Sequence, residues 1–152
     1  MLCLAYRRTL LDRTAHIPGI VDHHYPQAAY RWMIDALPGQ HVPPDGILLV
    51  AVSDDRVVAC GMTQRIDAQT CELKSVFVAT TARGQGAGRL LCQTALTWAQ
   101  GRYRRMVLDT LRALPEAAGL YRSMGFRESA PYHPLLPEHE PYVLFFEKSL
   151  AA

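Results

Sequence analysis

Seven residues, Arg83-Gly84-Gln85-Gly86-Ala87-Gly88-Arg89, constrain this chain more than any other stretch. Three glycines alternate directly after an apolar, strand-like run. Directly after them, Leu91, Cys92, Ala95, Leu96 and Ala99 recur at helical spacing. Alternating glycines let successive backbone N–H groups converge on one point without interference from Cβ atoms. The start of the helix adds unpaired donors and partial positive charge, so the junction suits an anion, and Arg83 and Arg89 reinforce the sign. Neither familiar phosphate motif fits. A G-x-G-x-x-G fingerprint begun at Gly84 needs a small residue where Arg89 stands, and begun at Gly86 needs one where Leu91 stands. A P-loop needs a lysine that is absent. What survives is Arg83-x-x-Gly86-x-Gly88 at a strand-to-helix junction, with a flexible helix-capping turn as the plainer alternative.

The flanking segments place that junction in a mixed α/β chain. Leu2 to Tyr6 reads as a first strand, and Ile20 to Leu37 as a helix with Tyr30, Met33, Ile34 and Leu37 on one face. Proline and glycine mark residues 38–46 as a loop. Ile47–Val52 and Arg56–Gln64 form a predicted hairpin around Ser53-Asp54-Asp55. Glu72–Val78 is the strand before the glycines, and Met106–Leu108 a strand core after the basic Arg102-Tyr103-Arg104-Arg105. Pro115 and Gly125 bracket a helix with Ala117, Leu120, Tyr121 and Met124 as its apolar stripe. Tyr142–Glu147 closes the chain as an aromatic strand. The expected order is β, α, β, β, β, α, β, α, β without linker or repeat, which makes one domain over residues 1–152 and not a doubly wound fold.

Composition narrows the function classes. Sixteen Lys and Arg against fourteen Asp and Glu leave a net charge of +2, which excludes a polybasic nucleic-acid binder or an acidic disordered tail as the main identity. No apolar run approaches the roughly 18 residues of a spanning helix. The start, Met1 to Arg8, turns from apolar to basic, the reverse of a secretory signal, so a soluble cytoplasmic protein is expected. Cys3, Cys60, Cys71 and Cys92 lie far apart and read as inert core thiols. No metal site is expected, since adjacent His23 and His24 do not converge on an ion.

The surviving turn resembles the R/Q-x-x-G-x-G/A signature of the GNAT superfamily of N-acyltransferases. Glu72-Leu73-Lys74-Ser75-Val76-Phe77-Val78 is similar to the strand before that signature. Ala117-x-x-Leu120-Tyr121-x-x-x-Gly125-Phe126 is similar to its later A-x-x-L-Y-x-x-x-G-F pattern. Leu108-Asp109-Thr110 and Pro131-Tyr132 resemble a common bacterial subgroup, and the likeness runs over residues 47–148. The resemblance implies a central, mostly antiparallel, splayed sheet flanked by helices. It also implies acetyl-CoA as co-substrate and transfer to a primary amine of a small molecule, amino acid or peptide, directly within a ternary complex. No cysteine occupies a nucleophile position of the family.

Site residues follow by register. The resemblance lays the pantetheine arm along Val76, Phe77 and Val78, and the pyrophosphate on Arg83, Gly84, Gln85, Gly86, Ala87, Gly88 and Arg89. The resemblance also makes a backbone N–H near Val78 the oxyanion donor. Glu72 stands where a water-mediated base stands in several members, because an amine of pKa ~10 arrives charged at neutral pH. Its alternative is a carboxylate paired with Lys74, with His133 and His139 as other bases. Tyr121 matches the general acid that protonates the leaving thiolate, and it also belongs to a buried stripe. The acceptor region, Asp22–Pro44 and Ser129–Tyr142, is rich in His and aromatic residues and poor in acids, which suits a small, partly apolar amine. Two other classes stay open: a catalytically silent acyl-CoA-binding regulatory module, and a nucleic-acid binder using Arg102, Arg104 and Arg105. The reading expects no nucleic acid and no membrane as partners. The apolar stretch Tyr142–Phe146 suggests an edge strand for a homodimer.

Overall fold

Asp54 and Asp55 both adopt left-handed backbone, at φ 49° and 60°. That is the two-residue turn whose twist suits a hairpin, and carboxylate side chains tolerate it. It joins β1 (Gly46–Ser53) to β2 (Arg56–Arg65), with Ser53 opposite Arg56 as the sequence predicts. The computed structural model describes residues 2–150. β3 (Thr70–Val78) adds antiparallel to β2, and β4 (Arg105–Leu111) adds parallel to β3. β6 (Val143–Ser149) runs antiparallel to β4 along its whole length, and the two-residue β5 (Arg127–Glu128) covers its far side. The sheet order is β1-β2-β3-β4-β6-β5, mostly antiparallel with one parallel pair.

Five helices flank this sheet: α1 (Leu2–Arg13), α2 (Ile20–His24), α3 (Gln27–Gln40), α4 (Ala87–Ala99) and α5 (Pro115–Ser123). Strand alternation assigns the two faces. Phe146, fully buried, joins Cys92, Ala95, Leu96 and Tyr121 beneath α4 and α5, whereas its neighbour Phe145 joins Leu10, Ile20 and Val21 from the N-terminal helices. Among the described residues no helix is long and apolar enough to cross a membrane.

Four expectations about elements change. Leu2 to Tyr6 is the start of α1, not a strand. A five-residue apolar run does not separate the two periods, and the face that decides is Tyr6 and Leu10, one helical turn apart, packed inward on the second core. Buried Arg7 fixes the helix further through an ion pair with Asp22 and a bond to the Tyr25 carbonyl. The helix expected over 20–37 breaks at Tyr25-Pro26, because proline pushes the preceding residue to extended backbone, and Tyr25 has φ −134°. α3 runs through Pro38 to Gln40, so the loop begins at His41. Finally β6 is interior, and the sheet edges are β1 and β5.

Candidate active site

Gly84 and Gly86 carry φ of +75° and +84°, and a Cβ on either meets nothing within 4 Å. Conformation, not crowding, requires glycine there. Gly88 differs: its Cβ would lie 3.4 Å from both Leu120 Cδ2 and Val78 Cγ2, so it sets the close approach of α4 to α5 and to the end of β3. Gly86 directly precedes α4, no side chain caps the helix, and no acid lies in its first turn. The first N–H groups of α4 are therefore available to an anion. Arg83 closes the turn onto β3 by donating from Nε to the Val78 carbonyl at 3.2 Å, with its guanidinium over the Phe77 ring. Arg89 donates to Ser123 Oγ at 2.7 Å. Gln85 is exposed and Ala87 is the first residue of α4.

Beside this turn the sheet opens. β3 and β4 pair only at Thr70–Arg105, Cys71–Met106 and Glu72–Val107, and beyond Glu72 they part. In the same stretch β3 carries a bulge. Cys60 opposes Phe77 but Met62 opposes Lys74, so Gly61 faces two residues, Ser75 and Val76. Ser75 sits at φ 54°, outside the strand region. The main chain of β3 from Leu73 to Val78 thus has no strand partner on its β4 side, the splay that the resemblance implies. Phe77 is buried against Tyr6, at 5.6 Å between ring centroids, while Val76 and Val78 are half-buried.

The opening leads to a chamber of about 330 Å³ between the sheet and α1–α3. Tyr6, Tyr25, Tyr30, Met33, Ile34 and Leu37 form its helix-side wall, and Glu72, Ser75 and Asp109 are on the sheet side. Glu72 is 12% exposed at its side chain. It accepts hydrogen bonds from Gln64 Nε2 at 2.6 Å and the Tyr132 hydroxyl at 2.8 Å, with Lys74 Nζ 3.7 Å away. Glu72 is thus a carboxylate that faces the chamber and also partners Lys74. His139 lies away from this pair, edge-on to the His23 ring. Among the described residues no group of three or more His, Cys, Asp and Glu is arranged to hold a metal.

Asp109, a mere motif letter in the sequence, proves to be the second chamber carboxylate. His133 Nε2 lies 2.6 Å from its Oδ2, and His133 Nδ1 lies 3.0 Å from the Pro134 carbonyl. The Pro134 carbonyl only accepts and an ionised Asp109 only accepts, so the two contacts favour the doubly protonated ring. The hydrogen bond to Asp109 accordingly raises the His133 pKa above the ordinary 6.5, against burial. The raised value means that the pair stabilises the fold below about pH 6.5 and that this contribution fades as pH climbs through the raised value. Asp109→Asn is expected to drop the His133 pKa in an NMR titration of its ring protons; an unchanged midpoint would show that Asp109 is not the cause. Burial instead lowers His24, which also lines the chamber.

Tyr121 is 6% exposed and does not line the chamber. It packs at 6.0 Å from Phe126 and 6.1 Å from Phe146, and burial pushes its phenol well above 10. Its neighbour Leu120 touches the Gly88–Val78 junction, so α5 meets the turn from the side opposite the chamber. Among the cysteines, Cys60, Cys71 and Cys92 are buried as expected. Cys3 is not: it is half-buried, lines the chamber, and its thiol is lowered to about 7 by a hydrogen bond from Cys60. Two residues of the basic cluster are engaged: Arg102 donates to the Trp98 carbonyl at the end of α4, and Arg105 to Thr70 Oγ1 and Glu147.

Known proteins resemble this chain in sequence and in fold. A sequence model of the acetyltransferase (GNAT) family matches residues 9–126. An uncharacterised N-acetyltransferase of Schizosaccharomyces pombe is 35% identical over 94 residues, covering 60% of this chain and 58% of its own length. The chain thus spans under two thirds of that relative. An IAA acetyltransferase of Azospirillum brasilense is 36% identical over 110 residues, 70% of each chain. The crystal structure of a GNAT-family acetyltransferase from Staphylococcus aureus superposes with a TM-score of 0.71, at 18% identity, over 97% of this chain and 94% of that one.

Proposed function

The chain belongs to the GNAT family of acetyltransferases, and from that premise we propose an acetyl-CoA-dependent N-acetyltransferase. It transfers acetyl to a primary amine of a small molecule, amino acid or peptide, directly within a ternary complex. The observation that carries this reading is the parting of β3 and β4 immediately beyond Glu72. There one fork adjoins an anion-accepting helix start on one side and an aromatic chamber with carboxylates on the other.

Each chemical need has a candidate residue. The N–H groups of residues 83–89 hold the pyrophosphate, and the unpaired main chain of β3 at Val76, Phe77 and Val78 takes the pantetheine arm as an added strand. Acetyl-CoA supplies a thioester whose carbonyl oxygen gains negative charge as the amine attacks. A β3 backbone N–H near Val78 donates to that oxygen, and losing such a donor typically costs ~10²–10³ in rate. Glu72, held by Gln64 and Tyr132, draws the proton from the ammonium through water. Tyr121 protonates the leaving sulfur from the α5 side.

The test is release of CoA from acetyl-CoA by the purified chain across a panel of amines, with the acetylated amine identified by mass. Turnover is expected only when an amine is present, and no acetylated protein should accumulate with acetyl-CoA alone. Acetyl-CoA binding without turnover across the panel would instead favour a silent acyl-CoA-binding module.

A further inference from the structure

The chamber holds its carboxylates in pairs. Of its two carboxylates, Glu72 lies 3.7 Å from Lys74 Nζ and Asp109 lies 2.6 Å from His133 Nε2. The wall opposite is mainly aromatic and aliphatic, with the Cys3 thiol and the His24 and His41 rings among it, and it carries no further carboxylate. A substrate with one amine and an apolar body needs nothing more than this wall and the Glu72 end. A substrate with a second ammonium brings a cation into a space where every carboxylate already has one, and like charges brought side by side are disfavoured.

His133 is a fixed counter-ion and not a mobile one. Its Nδ1 is anchored on the Pro134 carbonyl, and its ring is held edge-on between Tyr132 and Phe145, at 5.0 and 5.1 Å between centroids. It therefore does not yield Asp109 to an incoming amine without unpacking three contacts. We propose that His133 is the specificity-determining residue of the acceptor chamber. By keeping Asp109 in an ion pair, it confines the acceptor to monoamines with a compact aliphatic or aromatic body and rejects diamines. This inference rests on the acetyl-transfer reading above and goes beyond it in naming the acceptor class.

The experiment compares n-pentylamine with 1,5-diaminopentane, two amines of equal length, as acceptors for the full chain. The wild-type kcat/KM is expected to favour the monoamine by about tenfold or more. His133→Gln keeps a hydrogen bond to Asp109 but removes the charge, so the preference for the monoamine should shrink about tenfold. His133→Lys, which restores a cation, should recover much of it, and Asp109→Asn in the His133→Gln background should cancel the gain of the diamine. A rise in melting temperature with acetyl-CoA, equal in all variants, reports that each is folded. Turnover with an unchanged preference in His133→Gln, or a wild-type chain that takes both amines equally, overturns this inference alone. Acetyl-CoA binding with no amine turned over overturns the transfer reading and this one with it.

Discussion

Tyr121→Phe is expected to lower kcat by about 10² or more while the affinity for acetyl-CoA stays within a factor of two, the size usual for a lost general acid. The change removes one oxygen. The ring keeps its place between Phe126 and Phe146, so the core beneath α5 is not disturbed. Burial holds the phenol well above 10, so the hydroxyl stays protonated throughout the neutral range and its proton is in place when the sulfur departs. Tyr121 accordingly contributes no limb to the pH–rate profile below that range, and any acid limb must come from another group. The competing account is that Tyr121 merely fills the stripe it shares with Ala117, Leu120 and Met124. On that account phenylalanine is tolerated or even stabilising, and kcat does not move. Steady-state kinetics with any accepted amine, beside a calorimetric Kd for acetyl-CoA, separates the two. A variant with full kcat would remove Tyr121 from the mechanism.

The parts of the fold that were legible in the sequence are those governed by local chemistry. Asp54-Asp55 dictates a tight hairpin turn, and Pro115 and Gly125 punctuate α5. The glycines at 84 and 86 require left-handed backbone that few other residues supply. The N-terminal segment was not legible, because Leu2 to Tyr6 fits either period and its helical state depends on a sheet that lies beyond residue 45. The site divides in the same way. Glu72 and the glycine turn lie on one continuous stretch, so a motif places them. The partners that make Glu72 and Asp109 a chamber do not: Tyr132 is 60 residues from Glu72, and His133 is 24 from Asp109. Those pairs exist because β3 and β4 part and residues 132–133 fold back against the sheet, an outcome of tertiary packing that spacing along the chain does not encode. The same packing turned Cys3 from an expected core thiol into a chamber residue.

Gly86→Val is the sharpest test of the turn itself. A Cβ at this position meets no atom within 4 Å, so the effect does not begin with crowding at the Cβ. What the substitution introduces is a β-branched residue at φ +84°, a conformation that costs on the order of 1–3 kcal/mol and that the chain relieves by rotating the peptides on either side. Those peptides carry the N–H groups that must converge on the pyrophosphate, so relief of the strain and loss of the anion site are the same event. The Kd for acetyl-CoA should therefore rise about 10- to 100-fold, which is that strain converted into affinity. The melting temperature should fall by only a few degrees, because α4 packs through Leu91, Cys92, Ala95 and Leu96 well beyond the rotated turn. Gly88→Ala supplies the contrast. Gly88 has no left-handed backbone, and its added methyl presses on two side-chain methyls, Leu120 Cδ2 and Val78 Cγ2, that can shift by tenths of an ångström. It should bind acetyl-CoA within a few-fold of the parent. Equal losses in both variants would assign the effect to packing of α4, and an unchanged Kd in Gly86→Val would mean that the cofactor's phosphates lie elsewhere.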